Sequence, residues 1–392
     1  MKTIAVFTGT RAEYGLLHPL LLKLTQHPEM NLQLIVSGMH LSPQFGETWR
    51  TIEADGFTID AKVEMLMSSD TGCGVAKSMG IGVIGFADAL ERLRPNCLVI
   101  LGDRYEALAI AQVAAVMRIP IAHLHGGEIT EGAYDDPIRH AITKLSHYHF
   151  VACEEYRQRV IQMGEQPGRV WNVGALGIEN IRTVPRVSLA AINQKFRLDL
   201  KQPFFLVTYH PVTAGDEDSV QAFENLLAAL DDFPGHRILL TYPNSDNGGH
   251  RLIQMLEHYA SEHLGRVFAV PSLGMQCYLS AVELCDAVIG NSSSGVIEVP
   301  SLETPTVNIG VRQKGRLAAD SVIHSGTTRA NVREAIEQAL SPAAKHLAET
   351  CDNPYGSGET SARIIEILRN QQCPAAKQFH DIPRLDKDQD EW

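Results

Sequence analysis

Cysteine is sparse and poorly placed for structural chemistry. The seven residues, Cys73, Cys97, Cys153, Cys277, Cys285, Cys351 and Cys373, are scattered and form no Cys-x-x-Cys pair. That pattern argues against a disulfide framework or a zinc knuckle and predicts reduced thiols in a cytoplasmic chain. Positive charge is also short, with 34 Lys and Arg against 46 Asp and Glu and a formal net charge of −12. No broad polyanion-binding surface is expected, so nucleic acid is excluded as a partner and any phosphate must be held locally. Met1 to Phe7 run directly into a strand pattern with no signal-peptide cleavage site. No apolar run is read as long enough to cross a bilayer, so the expectation is a chain neither secreted nor embedded. A Gly-Lys dipeptide is missing throughout, which removes a P-loop and the main support for nucleoside-triphosphate hydrolysis.

What is present has a globular composition. With 392 residues, 44% hydrophobic and 20% charged, two cored domains are the default. Short apolar runs of the buried parallel-strand type recur at Ile4 to Thr8, Leu32 to Ser37, Cys97 to Gly102, Pro120 to His125 and His149 to Cys153. Helical spacing separates them at Tyr14 to Leu24 and at Arg104 to Met117, the latter read as capped by Asp103. This alternation predicts a doubly wound parallel sheet. After a less regular stretch from Gly177 to Lys201 the pattern restarts, with strands at Phe204 to Tyr209, Arg237 to Tyr242, Val267 to Val270, Ala287 to Ile289 and Thr306 to Ile309. Helices are read at Ser219 to Leu230 and His250 to His263. Two similar halves follow, with boundaries drawn at 1–175, 176–358 and 359–392, and the polar tail after Pro374 is expected to be partly disordered.

Open α/β sheets bind ligands beyond the carboxyl ends of their strands, and the chemically unusual residues fall there. Thr8-Gly9-Thr10-Arg11 ends the first strand. Its backbone N–H groups and the Arg11 guanidinium are placed to meet a phosphate, or Arg11 is simply an exposed residue on a turn. Three further loops, Gly102-Asp103-Arg104, His123-Leu124-His125-Gly126-Gly127-Glu128 and Asp135-Asp136-Pro137-Ile138-Arg139-His140, bring carboxylates and basic groups toward one sheet edge. Asp136 before Pro137 has the form of an N-cap, leaving Asp135 to chemistry, and Asp103 is either a catalytic carboxylate or only a helix cap. His123 and His125 share one strand face and, with Glu128 and Asp135, raise a metal reading. In the second half, Gly290-Asn291-Ser292-Ser293-Ser294-Gly295 opens a helix with small hydroxyl residues. That is either a neutral anion site, with Glu298 accepting from ribose hydroxyls, or a serine N-cap. His210 and Arg312 follow neighbouring strands and could flank a diphosphate. None of the ten tyrosines has lysine four positions on, so the Tyr-x-x-x-Lys dyad of redox sugar epimerases is missing.

Through these motifs the sequence resembles the hydrolysing UDP-N-acetylglucosamine 2-epimerases, nearest the branch serving sialic and legionaminic acid synthesis. The marks are Thr10-Arg11-Ala12-Glu13-Tyr14-Gly15, Gly102-Asp103-Arg104, His125-Gly126-Gly127-Glu128, Asp135-Asp136-Pro137-Ile138-Arg139-His140, His210-Pro211 and Gly290 to Gly295. The resemblance implies two Rossmann-like domains facing a cleft, as in one large class of glycosyltransferases (glycosyltransferase-B-like), with a C-terminal helix, here Glu359 to Asn370, returning to the first domain. It implies no NAD or other cofactor and no required metal, which lowers the metal reading. UDP-sugar contacts are expected at Arg11, Arg104, Arg139, His210, Ser292, Ser293, Ser294, Glu298 and Arg312. The catalytic set is expected among Asp103, His125, Glu128, Asp135 and His210. Many relatives carry glutamate where His125 stands before the Gly-Gly pair, so His125 and Glu128 are alternatives for that role.

The implied reaction converts UDP-N-acetylglucosamine to N-acetylmannosamine and UDP by anti elimination to a 2-acetamidoglucal followed by hydration. Asp103 or Glu128 would take the carbon 2 proton and Asp135 would return one. The alternatives are the same reaction on UDP-2,4-diacetamido-2,4,6-trideoxyglucose, a two-domain glycosyltransferase, or a non-catalytic nucleotide-sugar sensor. A homodimer or homotetramer is expected, with no membrane partner.

Overall fold

The computed structural model describes residues 1–67, 71–130, 135–212, 217–243, 249–372 and 376–382. The chain divides into two compact units. Met1–Glu128, Pro137–Gly174 and the segment from Glu359 onward form the first; Ile129–Asp136 and Ala175–Gly358 form the second.

The first unit is built on seven parallel strands, β1 (Lys2–Thr8), β2 (Met30–Ser37), β3 (Ala61–Val63), β4 (Cys97–Leu101), β5 (Ile121–Leu124), β6 (Tyr148–Val151) and β7 (Val170–Asn172). Their order is β3-β2-β1-β4-β5-β6-β7. Central strands such as β4 are buried along their whole length, which is why they read as unbroken apolar runs rather than as alternation. The order reverses between β1 and β4, and the crevice at such a reversal is where doubly wound sheets bind ligands.

The second unit repeats the plan with β8 (Phe204–Thr208), β9 (Arg237–Thr241), β10 (Val267–Val270), β11 (Ala287–Gly290), β12 (Thr306–Ile309) and β13 (Val322–Ser325) in the order β10-β9-β8-β11-β12-β13. Its switch point lies between β8 and β11. One core holds Phe205, Phe223, Leu240 and Ile289, and another holds Phe204, Leu206, Leu239 and Val288. Alternate residues of the same strands thus feed the two sheet faces.

Three expectations are corrected. The helix Gly72–Leu93, 22 residues with a mean hydropathy of 1.3 over its most apolar window, is long and apolar enough to cross a membrane by length and composition. Its buried residues, among them Gly74, Ser78, Gly82, Phe86 and Leu90, pack in this unit on β3 and the helix Tyr105–Val116. A Cβ at Gly85 would lie 2.6 Å from Val63 Cγ1, so the glycines that disguised the helix let it approach the sheet. The stretch 177–201 is not irregular, since it contains the helices Leu176–Thr183 and Leu189–Phe196. Asp103 does not cap the following helix, because Arg104 occupies the N-cap position. Within the tail, Ala376–Ile382 pack on this unit: His380 N donates to Gly164 O at 2.9 Å, Lys377 Nζ lies 2.7 Å from the Glu165 carboxylate, and Phe379 covers Gly164. Pro374 itself and the residues from Pro383 lie outside the described residues.

Candidate functional site

At the end of β1 the turn into the helix Arg11–Gln26 is closed by a capping box. Glu13 N donates to Thr10 Oγ1 at 3.2 Å, while the Glu13 carboxylate accepts from Gly9 N at 2.7 Å and Thr10 N at 3.1 Å. The N–H groups expected to meet a phosphate are therefore occupied by a carboxylate of the chain itself. Arg11, exposed at the helix start, is the part of that loop left facing solvent. Burial pushes the Glu13 carboxyl up to about 7, against the pull of Arg104. Thr8 Oγ1 contacts His40 Nε2 at 3.0 Å, and burial takes that imidazole down to about 4, so it is neutral.

The loop after β4 is held by arginines. Arg104 Nε and Nη2 lie 3.2 and 3.3 Å from the wholly buried carboxylate of Glu106. Burial opposes its charge, but Glu106 and Glu13 hold its pKa above the ordinary arginine value. Asp103 is gripped by Arg139 of the helix Asp135–Leu145, and Arg139 Nη1 also donates to Glu128 O at 2.9 Å. Arg139 is 1% exposed, so this guanidinium serves the fold of the carboxylate loops. Asp136 accepts from Thr130 N at 2.6 Å and sits inside the first helical turn, which begins at Asp135. Pro137 is tolerated there because first-turn N–H groups have no intrahelical acceptor. The N-cap reading of Asp136 is thereby replaced. Asp135 is the first helical residue and half-buried.

The two histidines of β5 and its end differ completely. His123 is wholly buried, with Nε2 2.7 Å from Gly102 O and Nδ1 3.1 Å from Thr143 Oγ1. Since a carbonyl only accepts, Nε2 carries the hydrogen, and burial lowers the imidazole pKa to about 3. It is a neutral brace beneath the Gly102-Asp103 turn. His125 has φ of 63°, an uncommon backbone for a residue with a Cβ. Its Nδ1 lies 2.8 Å from Glu128 Oε1. Among the described residues no group of three or more His, Cys, Asp or Glu is arranged to hold a metal ion.

In the second unit, β11 ends at Gly290, whose φ of 139° and close approach to the Thr208 backbone leave no room for a side chain. Asn291, fully buried, clasps the loop after β8: its Oδ1 accepts from His210 N at 2.7 Å and its Nδ2 donates to His210 O at 2.8 Å. Arg312 Nη1 and Gln313 Nε2 donate to Asn291 O at 3.1 and 2.9 Å. His210, Asn291 and Arg312 are thus one cluster at this switch point. Ser292 occupies an N-cap position but its hydroxyl makes no capping hydrogen bond, and the helix Ser293–Ile297 is a single turn. Donors there are local hydroxyls and N–H groups rather than a long dipole. Ser294 Oγ accepts from Tyr278 OH at 2.9 Å. Glu298 follows that turn with its carboxylate against Gly177, in the space a side chain would fill.

Sequence reasoning missed Glu13, His40, Glu106, Asn291 and Gln313. Thr10-x-x-Glu13 is a readable capping-box signature. The others are identified only by what packs beside them.

The family model described as UDP-N-acetylglucosamine 2-epimerase matches residues 22–369. A Campylobacter jejuni protein named GDP/UDP-N,N'-diacetylbacillosamine 2-epimerase (hydrolyzing) is 39% identical over 83% of this chain and 84% of its own. A Legionella pneumophila UDP-N,N'-diacetylbacillosamine 2-epimerase (hydrolyzing) is 36% identical over 94% and 96%. The crystal structure of UDP-GlcNAc 2-epimerase from Neisseria meningitidis bound to UDP-GlcNAc superposes with a TM-score of 0.78 at 18% identity, over 95% of this chain and all of that one.

Proposed function

Because the chain belongs to the UDP-N-acetylglucosamine 2-epimerase family, we propose that it hydrolyses UDP from a UDP-linked 2-acetamido sugar while inverting carbon 2. The coarser statement, a UDP-sugar 2-epimerase, follows from the family itself. The finer reading takes UDP-2,4-diacetamido-2,4,6-trideoxyglucose as substrate, supported by the names of the relatives at 39% and 36% identity. UDP-N-acetylglucosamine is the second reading, favoured by the family description and by the superposed structure's bound sugar.

The observation that carries the proposal is the grouping of Asp103, His125 and Glu128 at the carboxyl edge of one parallel sheet, with Asp135 opening the helix that supplies Arg139. Inverting a carbon without redox requires breaking its C–H bond, and these residues supply proton acceptors and donors for elimination and then hydration. In this reading Ser292, Ser293 and Arg312 hold the diphosphate, Ser294 supports them through Tyr278, and His210 lies beside the leaving group. Glu298 takes a ribose hydroxyl. Neither nicotinamide nor metal is assigned a step, and the place of work is the cytoplasm.

The test is incubation with each UDP-sugar in deuterated water, without acceptor or added cofactor, followed by proton NMR. Free UDP with a 2-epimeric sugar deuterated at carbon 2 is expected. UDP released without deuterium at carbon 2 would point to simple hydrolysis, and sugar transfer only when an acceptor is added would point to a glycosyltransferase.

A further inference from the structure

The histidine at the end of β5 is paired through Nδ1 with the carboxylate of Glu128. We propose that His125, oriented by Glu128 through Nδ1, is the base that takes the carbon 2 proton, with Glu128 as a positioning residue. The inference rests on the epimerase reading above and assigns the role within it.

The geometry has three parts. The His125 Nδ1 to Glu128 Oε1 distance is 2.8 Å. A carboxylate offers only acceptors, so the hydrogen resides on Nδ1 and Nε2 is the basic nitrogen. The exposures are unequal, 13% for the His125 side chain and 4% for that of Glu128, so the imidazole is the outer member of the pair. The loop is also fixed in its backbone. His125 N donates to Phe150 O at 2.9 Å, Arg159 Nη1 to Gly127 O at 2.6 Å, and Arg139 Nη1 to Glu128 O at 2.9 Å. Three anchors within four residues hold His125 in its left-handed conformation, at φ 63°, the kind of local strain that persists where a site needs one orientation. Asp103, the competing base, has its carboxylate engaged by the Arg139 guanidinium, so one of its oxygens is already committed to a partner within the protein. Asp103 is left to the hydration step.

The step balances as follows. Nε2 of neutral His125 accepts the carbon 2 proton. The C–H electron pair becomes the carbon 1–carbon 2 double bond as the carbon 1–oxygen bond breaks, and that bond's electrons leave with UDP. The resulting imidazolium is held by the Glu128 carboxylate and returns its proton to water before the next turnover.

The experiment compares H125A, E128Q and E128D with wild type on the sugar the wild type turns over. H125A should lose roughly 10²–10⁴-fold in kcat, with KM little changed, and regain part of it when free imidazole is added. E128Q should lose less, because the amide oxygen can still accept from Nδ1–H but no longer carries the charge that holds the imidazolium formed in the step. E128D should recover much of that loss. A larger loss in E128Q than in H125A, or no rescue of H125A by imidazole, would overturn the assignment. In parallel, nitrogen-15 NMR of the free protein reads the tautomer. An Nδ1–H signal for His125 that disappears in E128A supports the dyad; an Nε2–H tautomer overturns it. This readout stands even if the wild type turns over neither sugar, an outcome that would instead refute the epimerase reading.

Discussion

Glu13→Gln isolates one buried charge. Glu13 is 9% exposed, accepts from Gly9 N and Thr10 N, and has its carboxyl pKa raised from 4.5 to about 7 by burial. Between these values the folded chain keeps a proton that the unfolded chain has released, so stability falls as pH rises from 4.5 to 7 and then levels off. A difference of about 2.5 units at about 1.4 kcal/mol per unit makes the loss roughly 3 kcal/mol. Glutamine keeps an acceptor for the two N–H groups and never ionises. The variant should therefore match wild type near pH 4.5 and exceed it by roughly 3 kcal/mol above pH 7, a gap of roughly 6–12 °C in the melting temperature of a unit of this size. Calorimetry of both proteins at pH 5, 6, 7 and 8 measures the gap. A gap independent of pH would show that the carboxylate ionises in the folded chain as easily as in water, and the account of a carboxyl kept neutral by burial would fail.

Three further outcomes are expected. Asp103→Asn keeps an acceptor for Arg139 but loses the carboxylate, so it should bind UDP normally and lose turnover by roughly 10²–10⁴-fold; near-normal turnover removes Asp103 from the mechanism. Arg312→Ala should weaken UDP binding by roughly tenfold or more, the loss of a charged hydrogen bond, and unchanged affinity by calorimetry would reject the contact. Glu165 is buried, which works against its charge, yet His149, Lys144 and Lys377 outweigh that and bring its pKa from 4.5 down to about 2. Its depressed value stabilises the fold above pH 4.5 by roughly 3 kcal/mol and the benefit disappears as pH falls toward 2. Denaturation of Glu165→Gln should show that deficit at pH 7 and only a small part of it at pH 2.5; equal stability at pH 7 would contradict the role of the Lys377 strap.

The central strands were legible because burial on both faces writes a continuous apolar run, as in Leu98-Val99-Ile100. Strands β3 and β7, three residues each, are too short to rise above their surroundings. The helix Gly72–Leu93 was hidden by glycines, including a Gly-x-Gly-x-x-Gly run at 80–85 that lies mid-helix and therefore opens no strand-to-helix turn. Loop chemistry was legible by residue type and not by partner. Nothing local tells that Arg139 faces Asp103, that Asn291 clasps His210, or that His123 is braced while His125 is paired, since each fact depends on a neighbour at least three residues away and often on another strand.

That limit has a consequence for where phosphate can sit. The turn after β1 carries the N–H groups expected of an anion site, and Glu13 fills it. The Arg104 guanidinium is paired with Glu106 in the same way. Bringing a diphosphate to these two loops would place it beside two buried carboxyl groups and would require displacing one of them, a cost set by desolvation and like-charge repulsion. At the switch point of the second unit no carboxylate accepts from the N–H groups of Ser292 or Ser293 among the hydrogen bonds of the described residues, while Arg312 Nη1 donates to Asn291 O and Glu217 accepts from the neighbouring Val311 N. The same doubly wound plan thus has the N–H groups after its first strand occupied by a carboxylate in one unit and a serine-rich turn beside Arg312 in the other. That asymmetry, more than any single motif, is why we propose the diphosphate at the second unit and proton transfer at the first.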